Sequence, residues 1–378
     1  MKQTWVLSVI FFVCLLPVRT ESEVGTAVVF LTIPHGARAS AMGDAFVAVS
    51  DDATSVFHNP ASIAMEYAPG LPNPEPWISK LHLPWPDDFC GKRSRWMPVF
   101  GLEDLYIRNY AFAQHIPRMG AIGISAKHLN VGEVTERDDQ GNELGTFRVY
   151  DWSIGLSYGI RISEGMSVGL TYKRIESVLH PDDGVATTWA LDFGWFYRPK
   201  EIALSPQLFL RGPSIGASLS NVGPGISYRE SYSSDPLPKL MRLGMAQELF
   251  IPRFARFLMV AEINKIMINW QEDVWHEELR ESRRAVGFEG EFRLPLELLV
   301  NLSGTDPGIS VCARRGYYYD REASNVPEGS TYGYGIGFDI RLRENVSRLK
   351  LRLDYGQIEP PDDLGDDESE YYSFTVSL

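Results

Sequence analysis

The segment from Gly36 to Ala61 holds the residue types that could most readily do chemistry. Glycines such as Gly36 and Gly43 could cradle a phosphate, the adjacent carboxylates Asp51 and Asp52 could bind a cation, and Asn59-Pro60-Ala61 could act as a hinge. Each of these interpretations competes with an ordinary structural one.

The structural interpretations are favoured at each position. The glycine spacing lacks the Gly-Lys-Ser/Thr ending of a phosphate loop, which excludes that motif. An acidic pair is more typical of a solvated turn or a helix start, although pairing with Arg38, Arg341 or Arg352 is an alternative. Proline fixes φ and biases the preceding asparagine toward an extended conformation, so Asn59-Pro60-Ala61 is expected to be a structural turn.

The other residues show no His-Glu-x-x-His motif and no clustered metal-ligand spacing. The seven histidines are scattered, and His276-Glu277-Glu278 lies in a charged loop. We therefore predict a chain with no enzymatic activity, no cofactor and no metal, although a barrel-type lipase stays open. The acidic stretch from Glu359 to Glu370 could bind calcium or a partner, but a solubilising surface loop is favoured.

The ends of the chain and its composition predict an exported protein. Residues 1–22 resemble a signal peptide, with Lys2 before the apolar run Trp5 to Val18. Lipidation at Cys14 is disfavoured because Val13 precedes it. Cys90 and Cys312 could form a disulfide or remain two thiols.

Composition also excludes two classes of protein. No later segment reaches 18 apolar residues, which excludes a helical membrane protein. The formal net charge of −13 argues against a nucleic acid or an anionic surface as the main partner.

The C-terminal two-thirds of the chain alternates with a period of two, which predicts strands with one apolar face. From Tyr332 to Leu342, for example, tyrosine, isoleucine, phenylalanine and leucine alternate with glycine, aspartate and arginine. A soluble sandwich would bury the apolar faces, whereas an outer-membrane barrel would turn them to lipid. Export, abundant aromatics on the apolar faces, and polar faces mixing Gly and Ser with charged residues favour the barrel; an exported soluble β-protein is the alternative.

Strand count and turn lengths support an antiparallel up-and-down transmembrane barrel of about 14 strands, an even number. Short turns mostly alternate with long connections, and the short ones are periplasmic in such barrels, which places both termini in the periplasm. Two connections, 199–212 and 294–308, are longer than this rule expects. Residues 296–303 could themselves be a strand, but we treat them as an insertion. The predicted strands are 76–83, 105–114, 119–131, 146–160, 166–178, 187–198, 213–221, 239–249, 256–265, 283–293, 309–318, 332–342, 348–355 and 371–378.

The remaining N-terminal residues are expected to fill the lumen. About eight strands already enclose all the space that side chains can fill, so a barrel of about 14 strands needs a plug. The predicted organisation is a signal peptide at 1–22, a plug at 23–75 and a barrel at 76–378.

Several motifs resemble the PorV/PorQ family of FadL-like outer-membrane barrels. The plug motif comprises Gly36, Arg38, Met42, Gly43, Asp51, Asp52, Asn59, Pro60 and Ala61. Further along, Leu219 to Pro224, Leu237-Pro238 and Arg242-Leu243-Gly244 resemble a strand-loop-strand of the family. His58 departs from the pattern, because the family usually has an aromatic residue there. The final residues, Phe374 to Leu378, also lack the terminal aromatic of many barrels.

This resemblance implies a location and a role. It implies a non-enzymatic barrel in a Gram-negative-type outer membrane, in contact with lipid and with partners in type IX-like secretion or cell-surface assembly. The alternative that it implies is a FadL-like channel for long-chain fatty acids or other hydrophobic small molecules, which would need an apolar pocket beside the plug and a gap in the wall.

Overall fold

The structure is a computed structural model of the 378-residue chain. It describes residues 26–65, 88–95, 105–116, 119–182, 184–228, 234–267, 282–296, 305–320, 328–342, 348–359 and 369–377. The helices in these ranges are single short turns, none of which is long or apolar enough to cross a membrane. They lie at Val29–Thr32, Ala37–Ser40, Ser55–His58 and Ser62–Ala64.

The described strands form one antiparallel sheet with fourteen long strands and one two-residue strand, β7. Consecutive long strands pair with each other, β1 pairs with β15, and β6 pairs with β8. Each long strand of the described sheet therefore has a hydrogen-bonded neighbour on both sides. The strands are β1 Asp88–Arg95, β2 Tyr106–Ile116, β3 Gly120–Arg137, β4 Glu143–Ser163, β5 Met166–His180, β6 Gly184–Tyr197, β7 Ile202–Ala203, β8 Phe209–Val222, β9 Leu240–Ile251, β10 Ala255–Ile266, β11 Arg283–Pro295, β12 Thr305–Tyr319, β13 Glu328–Leu342, β14 Arg348–Ile358 and β15 Ser369–Ser377.

Thirteen of the predicted strands overlap β2 to β6 and β8 to β15. The prediction was wrong for the first strand: β1 occupies 88–95, inside the stretch expected to be a long loop, and 76–83 lie outside the described residues. The prediction of a long connection at 132–145 was also wrong, because β3 and β4 continue through most of these residues as a hairpin. The connection 199–212 contains β7 and the start of β8.

The count of fourteen is preserved around the predicted insertion. Strands β11 and β12 pair directly, with Leu294 opposite Ile309 and Pro295 opposite Gly308. Residues 297–304, which hold most of the possible extra strand, lie outside the described residues.

The two faces of the sheet have opposite exposure, and the apolar face is the exposed one. Ile336 and Leu353 are 63% and 62% exposed, whereas the polar Arg352 and Asp354 are 5% and 4% exposed. We call these the exposed face and the buried face. This arrangement is the inverse of a soluble sandwich, in which apolar residues face inward.

The N-terminal segment, residues 26–65, packs against the buried face and runs from one end of the sheet to the other. At its start, the Ala27 amide donates to the Pro236 carbonyl, in the long connection between β8 and β9. At its end, the Met65 carbonyl accepts from Arg198, beside the short turn between β4 and β5. We call these the long-connection end and the short-turn end.

The two ends of the described chain lie at different ends of the sheet. The C-terminal strand finishes at the short-turn end, where Ser377 lies opposite Asp88 at the start of β1. The first described N-terminal residues lie at the long-connection end, beside Pro236. Residues 1–25 lie outside the described residues, so the placement of both termini in the periplasm stays a prediction.

Glycines on the buried face let the N-terminal segment approach the strand backbones. A Cβ atom on Gly169 in β5 would overlap the backbone of Pro60 and Ala61, and one on Gly216 in β8 would overlap Val47. These positions accept the segment because they lack side chains.

Substitution of one such glycine tests this packing. We expect Gly169→Val to displace the Pro60 turn from the sheet. As at other overpacked sites, the free energy of unfolding should fall by about 1–3 kcal/mol. Gly145→Val in β4 is the matched control, because a Cβ there meets nothing within 4 Å. The thermal unfolding midpoint of each purified variant measures the effect; equal midpoints would contradict the described contact.

Candidate functional site

Arg38 is the centre of the contact between the N-terminal segment and the sheet. It lies in the short helix Ala37–Ser40 and is 2% exposed. Its Nε and one terminal nitrogen donate to the two carboxylate oxygens of Glu289 in β11, at 2.8 and 2.7 Å. The same guanidinium donates to Asp51 at 2.5 and 2.9 Å and to Asp52 at 2.8 Å. Arg38 thus joins the short helix and the Asp51-Asp52 turn of the N-terminal segment to the sheet.

Other charges extend this contact into a buried group that we call the ionic cluster. Arg314 in β12 donates to Glu289 at 2.6 Å and approaches Asp354 in β14 at 2.8 Å. Arg352 contacts Asp354 at 2.8 Å and Asp52 at 3.4 Å. Arg256 in β10 joins this group through Asp51 and Glu289, and it also contacts Glu248 at 2.9 Å. The ionic cluster comprises Arg38, Arg256, Arg314, Arg352, Asp51, Asp52, Glu289 and Asp354.

The interpretation of Asp51 and Asp52 as a solvated turn was wrong. Asp52 is 3% exposed and caps the Thr54 amide at 2.9 Å, while Asp51 bridges Arg38 and Arg256. Burial alone raises the pKa of Asp51, but the charges of Arg38 and Arg256 outweigh it and hold that pKa well below its ordinary value. The alternative of pairing with Arg38 and Arg352 is confirmed, whereas the side chain of Arg341 lies outside the described residues.

A second anchor holds the segment to β9 and β10. Arg242 contacts Asp44 at 2.9 Å and Glu262 at 2.6 Å. Glu262 also accepts from the Phe46 and Val47 amides, both at 2.9 Å. A carboxylate that accepts backbone N–H groups forms strong, charge-assisted hydrogen bonds, so Glu262 holds this loop to β10.

Asn59-Pro60-Ala61 forms the turn that the sequence predicts. The Asn59 side chain accepts from the Ala61 amide at 3.1 Å, and it donates to Val47 within the segment and to Trp195 in β6. The Ala61 carbonyl accepts from Ser167 in β5 at 2.7 Å. The asparagine is thus both a local turn residue and a wall contact.

The remaining motif residues serve packing and backbone geometry. Gly36 and Gly43 have φ of +87° and +70°, where side chains are strained, and the Gly43 amide donates to Thr331 at 3.0 Å. Met42 is fully buried in an apolar cluster with Phe46 and Val47. None of these residues forms a phosphate loop.

His58 is a buried imidazole next to the second anchor. Its Nε2 lies 4.0 Å from Asp44, and its ring packs against Phe46 and His35. Burial is the main cause that lowers its pKa; Arg242 lowers it further, while Asp44 and Glu262 act in the opposite direction. The ring is therefore held neutral near pH 7.

The inward charges of the strands were the part of the site that sequence reasoning missed. Glu289, Arg256 and Arg314 stand on the polar side of the same alternation that predicted the strands. That alternation assigns them to the buried face, but it gives no sign of which strand meets which part of the segment.

Two small cavities lie at this contact among the described residues. One cavity of about 20 Å³ is lined mainly by polar residues, including Lys127, Lys173, Asp192 and Asn221. A second, also of about 20 Å³, lies beside Asp51 and Arg256. Each has room for about one water, far below the size of ordinary ligand pockets.

Two further sequence features have structural roles. Gly155-Leu156-Ser157-Tyr158-Gly159 has the spacing of a nucleophile elbow, but it lies within β4, and Ser157 bonds Thr171 at 2.7 Å; an elbow needs a strand-turn-helix. Cys312 is a buried free thiol, so it is not disulfide-bonded. No metal-binding group of His, Cys, Asp or Glu occurs among the described residues, a range that excludes His276-Glu277-Glu278 and most of the acidic loop after Glu359.

Comparison with known proteins gives a family for the middle of the chain. Residues 99–273 match the family model described as type IX secretion system protein PorV. Over this stretch the chain matches the PorV family. The match covers β2 to β10 and confirms the predicted resemblance, while the N-terminal segment precedes the matched range. A search of curated proteins finds no match.

Solved structures give only distant similarity. OpdK of Pseudomonas aeruginosa with vanillate is 9% identical, with a TM-score of 0.32, over 76% of this chain and 96% of that one. The CymD monoaromatic hydrocarbon channel is 10% identical, with a TM-score of 0.39, over 93% of this chain and 97% of that one. Similarity this weak does not define a shared function.

Removal of Arg38 tests the ionic cluster. We expect Arg38→Met to leave Glu289, Asp51 and Asp52 undercompensated and to lower the free energy of unfolding by about 3–5 kcal/mol. Arg148→Met is the control, because Arg148 pairs with Glu133 at an exposed position and should matter far less. Denaturant unfolding of each purified variant measures both; equal stability of the two variants would contradict a stabilising role of the ionic cluster.

The pH dependence of stability tests the burial of His58. Because its pKa is lower in the folded than in the unfolded chain, the unfolded chain binds more protons below the ordinary value of about 6.5. The stability present above that pH is therefore lost progressively as the pH falls below it. We expect His58→Phe to remove this component, seen as a smaller fall in unfolding midpoint from pH 8 to pH 5. The same pH slope in both proteins would refute this assignment.

Proposed function

We propose that this chain is a non-enzymatic outer-membrane β-barrel that serves type IX-like protein secretion or cell-surface assembly. The observation that most directly supports this proposal is the PorV family match over residues 99–273. It is supported by a sheet in which each long described strand is paired on both sides and the apolar face is exposed, as lipid contact requires.

The N-terminal segment is proposed to act as the plug of this barrel. It runs from the long-connection end to the short-turn end, and buried ion pairs fix it to strands on different parts of the wall. A plug fixed in this way suits a barrel that works through its surface and its partners rather than through its lumen.

The channel alternative is less well supported. It needs an apolar pocket bounded by the plug, whereas the two cavities described above are each about 20 Å³ and are lined by polar, charged and apolar residues together. Passage of a fatty acid would require displacement of the plug, and thus separation of several buried ion pairs.

The membrane placement can be tested with two epitope insertions. The long-connection end is proposed to face the cell exterior, as long loops do in such barrels. An epitope at Gly141, in the exposed β3–β4 turn, should be labelled on intact cells. An epitope at Gly165, in the β4–β5 turn, should be labelled only after permeabilisation. Extraction of the protein by a carbonate wash would instead indicate an exported soluble β-protein.

The role in secretion can be tested with the same Gly141 insertion. Purification of the intact, solubilised protein from outer membranes should recover type IX secretion or surface-assembly proteins. An epitope-free strain controls for nonspecific capture. Recovery of hydrophobic small molecules without such proteins, together with impaired uptake in a deletion strain, would contradict this role and support the channel.

A further inference from the structure

A row of polar and aromatic residues crosses the exposed face of β2 to β5 near the long-connection end. Arg108 stands opposite His128, His128 opposite Trp152, and Trp152 opposite Glu176. Residues directly opposite in an antiparallel pair share a face and are near neighbours. The row is therefore one continuous strip across four strands.

Aromatic rings hold Arg108 within this strip. Its guanidinium carbon lies 4.5 Å from the centre of the Tyr106 ring, and the His128 ring lies between those of Tyr106 and Tyr150, at 6.4 and 6.0 Å. A guanidinium stacked on a ring keeps its in-plane N–H donors free for an oxygen ligand. Arginine in this setting is suited to a planar or tetrahedral oxyanion.

A second arginine, Arg174 in β5, lies on the same exposed face. It stands opposite Trp189 in β6, which stacks with Tyr172 at 6.4 Å. Arg174 is thus also an arginine among aromatic residues at the edge of an apolar surface. Arg174 thus extends the set of exposed arginines along the same face toward β6.

The height of the strip matches the upper edge of a membrane band. Arg108 is eight residues from the short-turn end of β2 at Ile116, and Arg174 is eight from the start of β5 at Met166. With strand rise and tilt, eight residues span roughly 20 Å along a membrane normal, close to the height of an apolar band. The exposed residues below include Tyr110, Leu170 and Tyr172.

The two arginines differ from those of the buried face in their partners. Arg38, Arg242, Arg256, Arg314 and Arg352 all meet carboxylates. Among the described residues, Arg108 and Arg174 form no ion pair, and Glu176 accepts instead from Trp152 at 2.9 Å. Cations beside an apolar, lipid-facing surface are complementary to the negative charge of a lipid headgroup.

We propose that this strip binds the phosphates of outer-leaflet lipid headgroups, with Arg108 as the main ligand and Arg174, three strands away, as the ligand of a separate phosphate. The proposal rests on the proposed outer-membrane placement. The excess of acidic residues in the chain does not oppose it, because binding depends on the local field of the strip.

Lipid retention by purified protein tests the proposal. The intact protein is extracted from outer membranes in mild detergent, and bound phosphorylated lipid is measured by mass spectrometry and phosphate analysis. We expect Arg108→Gln to reduce retained lipid several-fold and Arg108→Gln with Arg174→Gln to reduce it further. Arg148→Gln, a tip arginine paired with Glu133, should retain as much as the wild type. Equal retention in all variants overturns the proposal.

Two further measurements test the alternatives. The first asks whether the site binds free phosphate rather than a lipid, and the second asks whether the protein lies in the membrane at all. Inorganic phosphate alone is added to delipidated protein; stabilisation that Arg108→Gln abolishes would indicate a free phosphate site and overturn the lipid assignment. Membrane fractionation of each variant is run in parallel. A protein in the membrane pellet that retains no phosphorylated lipid refutes this inference alone, whereas a protein in the soluble fraction refutes the proposed function as well.

Discussion

The requirement to pair buried charge is the constraint on which the rest of this structure depends. The sheet turns its polar face toward residues 26–65, so arginines and carboxylates from many strands enter a region largely shielded from water. A lone charge there would be very costly, but Arg38 meets Glu289, Asp51 and Asp52 together. The glycines of the strands bring the segment close enough for these pairs, and the pairs fix its path.

Much of the fold could be predicted from the sequence, because the strand signal is local. A period of two needs only a few residues to show itself, and it located thirteen of the fourteen long strands. The prediction missed the first strand because its local signal is weak. The stretch from Asp88 to Arg95 is mostly polar and charged, and it has no clear apolar alternation. The prediction of a loop at 132–145 was wrong because this hairpin extension of β3 and β4 is exposed on both faces. It therefore has no apolar side from which a strand could be recognised.

The candidate site was harder to predict, because its partners are distant in the chain. Asp51 and Asp52 resemble a solvated turn until Arg256 and Arg352 are placed beside them. Alternation assigns those arginines to the buried face, but register and segment path decide which carboxylate each one meets. Asn59 was easier, because one of its bonds, to the Ala61 amide, is local.

The path of the N-terminal segment has a consequence for the order of assembly. Arg38 is made early, yet Glu289 follows 251 residues later, and Asp354 belongs to the last hairpin of the sheet. Within the segment Asp51 and Asp52 can pair with Arg38, but Glu289 and Arg352 are present only once β11 and β14 exist, and such long-range contacts form late and slowly. A sheet that lacks β14 leaves Arg314 without one of its two carboxylate partners, as well as an unpaired strand edge. Completion of the sheet therefore also completes the ionic cluster, so a truncated chain differs from the full one in its paired charges as well as in its strands.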